Sequence, residues 1–468
     1  MKKRWLACTS LLVAAVMSVA LAGCSIFGST TADGNTPSKV AVSGGEADSR
    51  EEFLAAQGTP SGKYKLYEEA VADGYAGSFV DFLKEIGVTS PDPIVSVNAA
   101  VNTVTGIECA FTEYVQTASG RPTSQTQTVH SAGAGVIYSI DKPVGGPYIV
   151  TNFHVVYNAD SVGNETVSHV SDDIIVYLYG SSESIPATYV GGSINYDIAV
   201  LRVEDSKAFK ASGASAAKVA DSDSISVGES VYAIGNPEGE GISVTSGVVS
   251  VDAEYINITA ADDSTTLSLL EIRTDAAINH GNSGGGLFNA SGELVGIVNA
   301  RDEGDGVTGF GYAIPSNLAT AVARSIIDNA NAGSNDKGAT RATLGVTVQI
   351  ESSEGLRDPL TGKMYIEESV IVRSSSGVGA EMGLNVNDTL ISAKIARNIQ
   401  QEDGTVIKEV IVEKALTRMH MLSTLLFDVR IGDTLTLVVS RNSETVELTP
   451  HTFTSESEFT LFAAKPVT

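Results

Sequence analysis

The sequence is poor in aromatic residues, in basic residues and in cysteine. Aromatic side chains make up 6% of the 468 residues, whereas glycine occurs 46 times, a balance that favours strands and turns over helices. Thirty Lys and Arg stand against 56 Asp and Glu, so the formal net charge is −26. A surface this acidic repels phosphate backbones, which argues against nucleic acid as a partner.

Metal-binding patterns are also missing from the sequence. Its six histidines include no His-Glu-x-x-His arrangement, and its three cysteines offer no paired ligands. The expected chemistry therefore needs no metal and no other cofactor. The length of the chain predicts two or three domains with ample room for apolar cores.

Two of the three cysteines lie near the N-terminus. A basic run, Met1–Arg4, precedes an apolar run, Trp5–Ala20, which is the pattern of a secretion signal rather than of a membrane-spanning helix. The following Leu21-Ala-Gly-Cys24 resembles the bacterial lipobox, whose cysteine becomes the lipidated first residue of the mature protein. The alternative is an ordinary signal with a cysteine close by.

The lipobox interpretation predicts a signal peptide at residues 1–23 and a protein held by the lipid on Cys24 at the extracytoplasmic face of the cell membrane. Cys8 is then removed, and Cys109 remains alone, which excludes an intramolecular disulfide. Because Cys109 lies in an apolar strand pattern, we expect it to be a small buried hydrophobe.

The next two segments carry no recognisable chemistry. Residues 24–62 are rich in Gly, Ser, Thr and acidic residues without an apolar period, which predicts a disordered tether. Residues 63–92 contain two short helical faces, the second beginning after Ser78 as a candidate N-cap. We expect this small helical segment to be a spacer or a docking module.

From Ile94 onward the pattern changes to short β-branched and aromatic runs bounded by Gly and Pro, which indicates a sandwich or a barrel. The predicted strands cover residues 110–115, 133–138, 148–151, 174–179, 187–190, 198–201, 230–234, 242–245, 267–273 and 294–298. An amphipathic helix is predicted over residues 317–331.

A serine lies among glycines in the stretch Asp275-Ala-Ala-Ile-Asn-His-Gly-Asn-Ser283-Gly-Gly-Gly. A serine hydroxyl becomes a strong nucleophile only when a base takes its proton and backbone amides hold the developing oxyanion. The turn Gly281-Asn282-Ser283 is a candidate oxyanion hole, with the amides of Gly281 and Ser283 as donors. Taken alone, this motif is only a glycine-rich turn.

Two upstream stretches raise its significance. Tyr148-Ile-Val-Thr-Asn-Phe-His154 is an apolar strand that ends in a histidine, and Asp197 precedes the apolar run Ile198–Leu201. His, Asp and Ser then follow one another in the order of a chymotrypsin-type triad. Each residue alone is more often structural, but their joint occurrence favours a catalytic interpretation.

These blocks resemble the trypsin-like serine proteases of the HtrA (Deg) branch, which show Thr-Asn-x-His-Val, Asp-Ile-Ala-Val-Leu and Gly-Asn-Ser-Gly-Gly. The resemblance runs from about Val129 to Asn317. It implies an all-β, chymotrypsin-like double β-barrel at residues 93–332, with Ser283 as nucleophile, His154 as general base and Asp197 orienting it. His280 and Gly286 stand where the branch usually has proline.

The resemblance also implies a primary specificity pocket formed by Ile278, Val298 and Asn299, which would favour a small or medium uncharged side chain. Family members usually assemble through the protease domain, so a homotrimer is a further implication.

After a linker at Gly333–Gly338, residues 339–468 resemble a PDZ domain, a small β-sandwich with helices. Such a domain captures an extended C-terminus through backbone amides, here those of Leu344, Gly345 and Val346. Residues 358–368 and 400–409 are interpreted as polar insertions.

Together these features predict a membrane-anchored serine endopeptidase that cleaves unfolded or damaged envelope proteins. The alternative is a non-proteolytic peptide-binding or chaperone protein that uses the PDZ domain and the cleft to hold chains.

Overall fold

The computed structural model describes residues 93–462, apart from gaps at 118–119, 139–146, 163–166, 182, 204–208, 210–211, 240, 300–308, 334–336, 358–362 and 402–403. The predicted signal peptide, tether and helical segment at residues 1–92 lie outside these residues. No described helix combines the length and the apolarity needed to cross a membrane. The chain divides into two compact units, and the larger one, residues 100–289 with 293–468, carries the features described below.

Six antiparallel strands close the first barrel in the order β1-β2-β3-β6-β5-β4. Alternate side chains point inward because a strand has a period of two, which buries Ile107, Cys109 and Phe111 on β1. The strands are β1 (Val104–Gln116), β2 (Pro122–Tyr138), β3 (Tyr148–Thr151), β4 (Asp173–Leu178), β5 (Ser184–Ser193) and β6 (Ile198–Val203).

A second barrel follows in the order β10-β11-β12-β9-β8-β7. Leu287 and Ile272 belong to its buried interior. The strands are β7 (Ser230–Gly235), β8 (Ser243–Thr259), β9 (Thr266–Thr274), β10 (Gly286–Asn289), β11 (Leu294–Asn299) and β12 (Gly311–Pro315). This pair of six-stranded barrels confirms the predicted all-β, chymotrypsin-like architecture.

Helices are short except for the one that follows the second barrel. This helix, α3 (Ser316–Asn331), confirms the predicted amphipathic segment and buries Leu318, Val322 and Ile326 on one face. Helix α1 (Pro93–Val101) precedes β1, and α2 (Phe153–Val156) follows β3. Single 3-10 turns occur at Ile194–Tyr196, Ser222–Ser224, Pro237–Gly239 and Glu456–Glu458.

The C-terminal segment forms a mixed sheet-and-helix region with its own core around Phe453, Ile395 and Leu437. The main sheet has the order β14-β15-β16-β18-β19, with β17 on β16 and β20 on β18, while β13 pairs with β21. Its strands are β13 (Ala339–Ala342), β14 (Val346–Arg357), β15 (Met364–Ser375), β16 (Thr389–Gln400), β17 (Val406–Ala415), β18 (Thr434–Arg441), β19 (Glu444–Glu447), β20 (His451–Thr452) and β21 (Phe459–Phe462). Its helices are α4 (Gly377–Glu381) and α5 (Met419–Leu425).

The two predicted polar insertions are not simple loops. Residues 364–368 belong to β15 and pair with β14, and residues 406–409 belong to β17 and pair with β16. Part of each predicted insertion therefore belongs to a paired strand. Residues 358–362 and 402–403 lie outside the described residues.

Candidate active site

His154 and Asp197 meet at the edge of the first barrel. His154 Nδ1 lies 2.7 Å from Asp197 Oδ2, and the backbone N–H of His154 donates to Asp197 Oδ1 at 3.0 Å. The carboxylate is 2% exposed and the imidazole 18%. An acceptor on Nδ1 fixes the proton there and leaves Nε2 as the basic nitrogen.

The backbone of Asp197 is held as firmly as its side chain. Asp197 adopts a left-handed conformation (φ 49°, ψ 40°) directly after the turn Ile194–Tyr196. Its carbonyl oxygen accepts from the amide of Phe153 at 3.1 Å and from Asn152 Nδ2 at 3.0 Å. Asn152 belongs to the Thr-Asn-x-His motif, but nothing in its sequence pattern predicts this hydrogen bond.

Ser283 lies in the tight turn that the glycines predict, and it is 6% exposed. Gly281 and Gly284 have φ values of 90° and 81°, a region that strongly favours glycine. The amide of Asn282 donates to Asn279 O at 3.0 Å. That amide is therefore used within the turn, and the oxyanion donors predicted from the sequence are its neighbours, the amides of Gly281 and Ser283.

Strand β2 links the serine turn to the histidine segment. The amide of Ala134 donates to Ser283 O at 2.8 Å, and Thr151 Oγ1 donates to Ala134 O at 2.7 Å. A Cβ at Gly284 would come within 2.2 Å of both Ala134 O and Thr151 Oγ1. Only a glycine after Ser283 therefore allows the turn to approach the strand that leads to His154.

The predicted pocket residues belong to the second barrel. Ile278 is half-buried and packs so closely on Gly311 that a Cβ there would come within 2.4 Å of Ile278 Cδ1. Val298 and Asn299 are buried at the end of β11. Asn299 Nδ2 donates to Glu271 Oε1 at 3.0 Å, and Glu271 is a fully buried carboxylate that sequence patterning did not single out.

The two positions that depart from the usual proline have different surroundings. His280 is exposed beside the serine turn. Gly286 opens β10, where a Cβ would come within 2.2 Å of the Phe288 ring. The structure therefore gives Gly286 a packing role and leaves His280 at the surface.

The predicted carboxylate-binding residues lie just before β14. The carbonyl of Leu344 accepts from Gly379 N at 2.7 Å, and that of Gly345 accepts from Ser376 N at 2.9 Å. Gly345 has a φ of 72°, and Val346 begins the strand. The loop is thus fixed by its carbonyl groups.

The remaining predicted site residue, Cys24, lies outside the described residues. Cys109 is buried as expected, and burial raises the pKa of its thiol.

Comparison with known proteins places this geometry in context. The family model described as a trypsin-like peptidase domain matches residues 133–297. The protein named Serine protease Do-like HtrA from Bacillus subtilis (strain 168) is 30% identical over 359 residues, covering 75% of this chain and 70% of that protein. The Lactobacillus helveticus protein of the same name is 29% identical over 329 residues, covering 68% of each. A solved structure titled HtrA-type protease AlgW with decapeptide is 25% identical, covering 81% of this chain and 100% of that one, with a TM-score of 0.43.

The double barrel and the matched family model define the class of the protein as a trypsin-like serine peptidase. The similarity to the Bacillus subtilis protein extends over most of both chains. The chain therefore belongs to the HtrA family of serine proteases and is a serine endopeptidase.

Proposed function

We propose that Ser283, His154 and Asp197 form the catalytic triad of this endopeptidase. The observation that carries the proposal is the buried contact of 2.7 Å between His154 Nδ1 and Asp197 Oδ2. The serine turn is tied through Ala134 and Thr151 to the same strand end. The three residue types thus occur in the required chain order with a fixed base and a constrained nucleophile turn.

In the proposed mechanism, His154 Nε2 takes the proton from Ser283 Oγ as the oxygen attacks the scissile carbonyl carbon. The imidazolium then gives that proton to the leaving amine as the C–N bond breaks. Water, deprotonated by His154, attacks the acyl-enzyme, and the returning proton restores Ser283. Asp197 stabilises the imidazolium in both halves of the reaction.

The oxyanion of each tetrahedral intermediate would be held by the amides of Gly281 and Ser283. One such donor contributes about 10²- to 10³-fold in kcat. The apolar wall provided by Ile278 and Val298, together with Asn299, supports selection of an uncharged small or medium side chain before the scissile bond.

We further propose that the substrates are unfolded or damaged envelope proteins. A cleft between barrels accepts an extended chain, and an extended chain is available only where a protein has lost its fold. Amides at Leu344, Gly345 and Val346 would capture free C-termini in the manner of a PDZ domain. The N–H groups of Gly379 and Ser376 donate to the carbonyl oxygens of Leu344 and Gly345, and these hydrogen bonds support a preformed shape of the loop.

Membrane attachment and assembly complete the proposal. Lipidation of Cys24 would hold the protease at the extracytoplasmic face, and a homotrimer is the assembly that the family resemblance implies.

Cys24→Ser should release the protein from membranes during fractionation. If the variant stays with the membrane after a salt wash, lipidation at Cys24 is not the anchor.

The triad is tested by casein hydrolysis. Ser283→Ala should lower turnover by about 10⁶-fold, since the oxyanion hole and binding alone provide little rate. Ser268→Ala, at an exposed position on β9, is the matched control and should retain wild-type turnover. Turnover of Ser283→Ala close to the wild-type rate would refute the assignment of the nucleophile.

A further inference from the structure

The turn that carries Asp197 is in contact with the C-terminal segment. Tyr196, the residue before Asp197, ends the 3-10 turn Ile194–Tyr196, and Asp197 N donates back to Ile194 O at 3.4 Å. The Tyr196 ring packs edge-to-face against Phe427 (centroids 5.0 Å apart, 89°) and against Phe462 (5.1 Å, 78°). Both phenylalanines belong to the segment beyond the protease barrels.

The guanidinium of Arg341 also contacts this aromatic cluster. Arg341 Nη1 donates to the Tyr196 hydroxyl oxygen at 2.9 Å. Its guanidinium carbon lies 4.9 Å from the centroid of Phe462 and 5.6 Å from that of Phe427. A guanidinium over an aromatic face and an edge-to-face ring pair are both attractive contacts, so the cluster holds the Tyr196 ring in place.

The three residues that contact Tyr196 each lie in a different element of the C-terminal segment. Arg341 lies on β13 and Phe462 on β21, and these strands pair with each other. Phe427 is fully buried just after α5, where its amide donates to Thr424 O at 3.1 Å. The three side chains therefore form a rigid socket for one ring from the protease barrel.

The conformation of the Asp197 turn affects the position of His154, the general base of the proposed triad. Asp197 sits in a left-handed conformation, which is uncommon for residues other than glycine although aspartate adopts it more often than most. Tyr196, the residue before Asp197, is in contact with all three side chains of the cluster, which restricts how that turn can move. Since His154 donates both its side-chain and its backbone hydrogen bond to this carboxylate, any displacement of the turn displaces the imidazole.

We propose that Tyr196 is a positioning residue for catalysis, through which Arg341, Phe427 and Phe462 of the C-terminal segment hold the Asp197 turn and thereby the His154 imidazole. This inference rests on the proposed triad. It assigns to the C-terminal segment a part in the chemistry that is separate from the binding of chain ends.

The test uses the full chain and a small peptide ester that needs no C-terminal recognition. Tyr196→Ala should lower kcat by about 10²-fold, the effect of a misplacement of about 1 Å, while KM stays within about twofold. Tyr196→Phe keeps the ring and removes only the acceptor for Arg341, and should lower kcat about fivefold. Phe462→Leu, which alters the socket without touching the protease barrel, should fall between these two.

A spectroscopic readout separates positioning from a general loss of structure. The His154 Nδ1 proton shared with Asp197 should give a low-field proton resonance, which Tyr196→Ala should shift or broaden and Tyr196→Phe should change less. Tyr177→Phe is the matched control, because Tyr177 donates to Glu108 on the same barrel at 2.9 Å and does not belong to the cluster. It should leave both kcat and the resonance unchanged.

The outcomes are distinct for the two proposals. If a fluorophosphonate labels Ser283 in the wild type and Tyr196→Ala, Tyr196→Phe and Phe462→Leu all keep kcat within twofold with an unchanged resonance, the positioning role is refuted and the triad stands. If Tyr196→Ala does not fold, the other two variants decide the question. Failure of the wild type to be labelled refutes the triad itself.

Discussion

Two histidine–aspartate pairs occur among the residues that the structure describes, and their surroundings differ. His154 faces Asp197 within the first barrel at 2.7 Å, whereas His420 on α5 faces Asp223 on the 3-10 turn Ser222–Ser224 at 3.1 Å. The second carboxylate also forms an ion pair with Lys414. Among the described residues, no Lys or Arg forms an ion pair with Asp197.

This difference decides what each carboxylate can do. Burial by itself raises the pKa of Asp223, but the hydrogen bond from His420 and the charge of Lys414 outweigh it and hold that pKa well below its ordinary range. Its charge is thus already compensated by a fixed cation. Asp197 has no such fixed cation among the described residues, which suits it to its proposed role of stabilising an imidazolium that forms only during the reaction.

The largest effect is expected from removing the charge of each aspartate in turn. Asp197→Asn should lower kcat on a small peptide substrate by about 10⁴-fold, because the amide can hold the wrong tautomer of His154. Asp223→Asn should leave kcat within about threefold. Comparable losses in the two variants would mean that the first pair has no special catalytic role.

A stability measurement tests whether the second pair is structural. Asp223 is 10% exposed, and Asp223→Ala leaves Lys414 and His420 without their shared carboxylate. Removal of one partner from a buried ion pair costs about 3 kcal/mol, to be read from urea unfolding at neutral pH. Asp160→Ala, at an exposed position, is the control and should stay within about 0.5 kcal/mol of the wild type. A cost for Asp223→Ala no larger than that of the control would show that the second pair is not structural.

The smallest expected effect is on how the free energy of unfolding depends on pH. Because the folded pKa of Asp223 is lowered, its contribution to stability is complete above the unfolded value of about 3.9 and is lost as the pH falls through the folded value. The stability gap between the wild type and Asp223→Asn should narrow by about 1 kcal/mol between pH 5 and pH 3. A gap that widens between pH 5 and pH 3 would contradict the ion-paired assignment.

The two pairs also differ in how far sequence could predict them. His154 and Asp197 each lie beside a strongly apolar strand within a short motif, and these motifs, taken together with that of Ser283, predict the pair. His420 and Asp223 are 197 positions apart and neither has a motif. Only the folded arrangement of the C-terminal segment against the barrels brings them together.

The same limit applies to the fold. Long β-branched runs predicted most barrel strands, but β10 and β12 contain glycines and are defined by pairing with β7, β11 and β9, which no local window detects. The linker shows the limit again. Lys337 O accepts from Gly192 N at 2.8 Å, and Arg324 on α3 pairs with Asp428 beyond the linker. The end of the predicted linker therefore contacts the first barrel, and an ion pair joins α3 to the C-terminal segment.

The most direct test of the triad is covalent labelling of the serine by a fluorophosphonate, in which Ser283 Oγ bonds to phosphorus and fluoride leaves. Mass spectrometry of the digested full chain should find one adduct, on the peptide that contains Ser283. The adduct should form at the wild-type rate in Asp223→Asn, far more slowly in Asp197→Asn, and not at all on that peptide in Ser283→Ala. An unlabelled wild type, or an adduct on another serine that persists in Ser283→Ala, would contradict the assignment of Ser283, His154 and Asp197 as the catalytic triad.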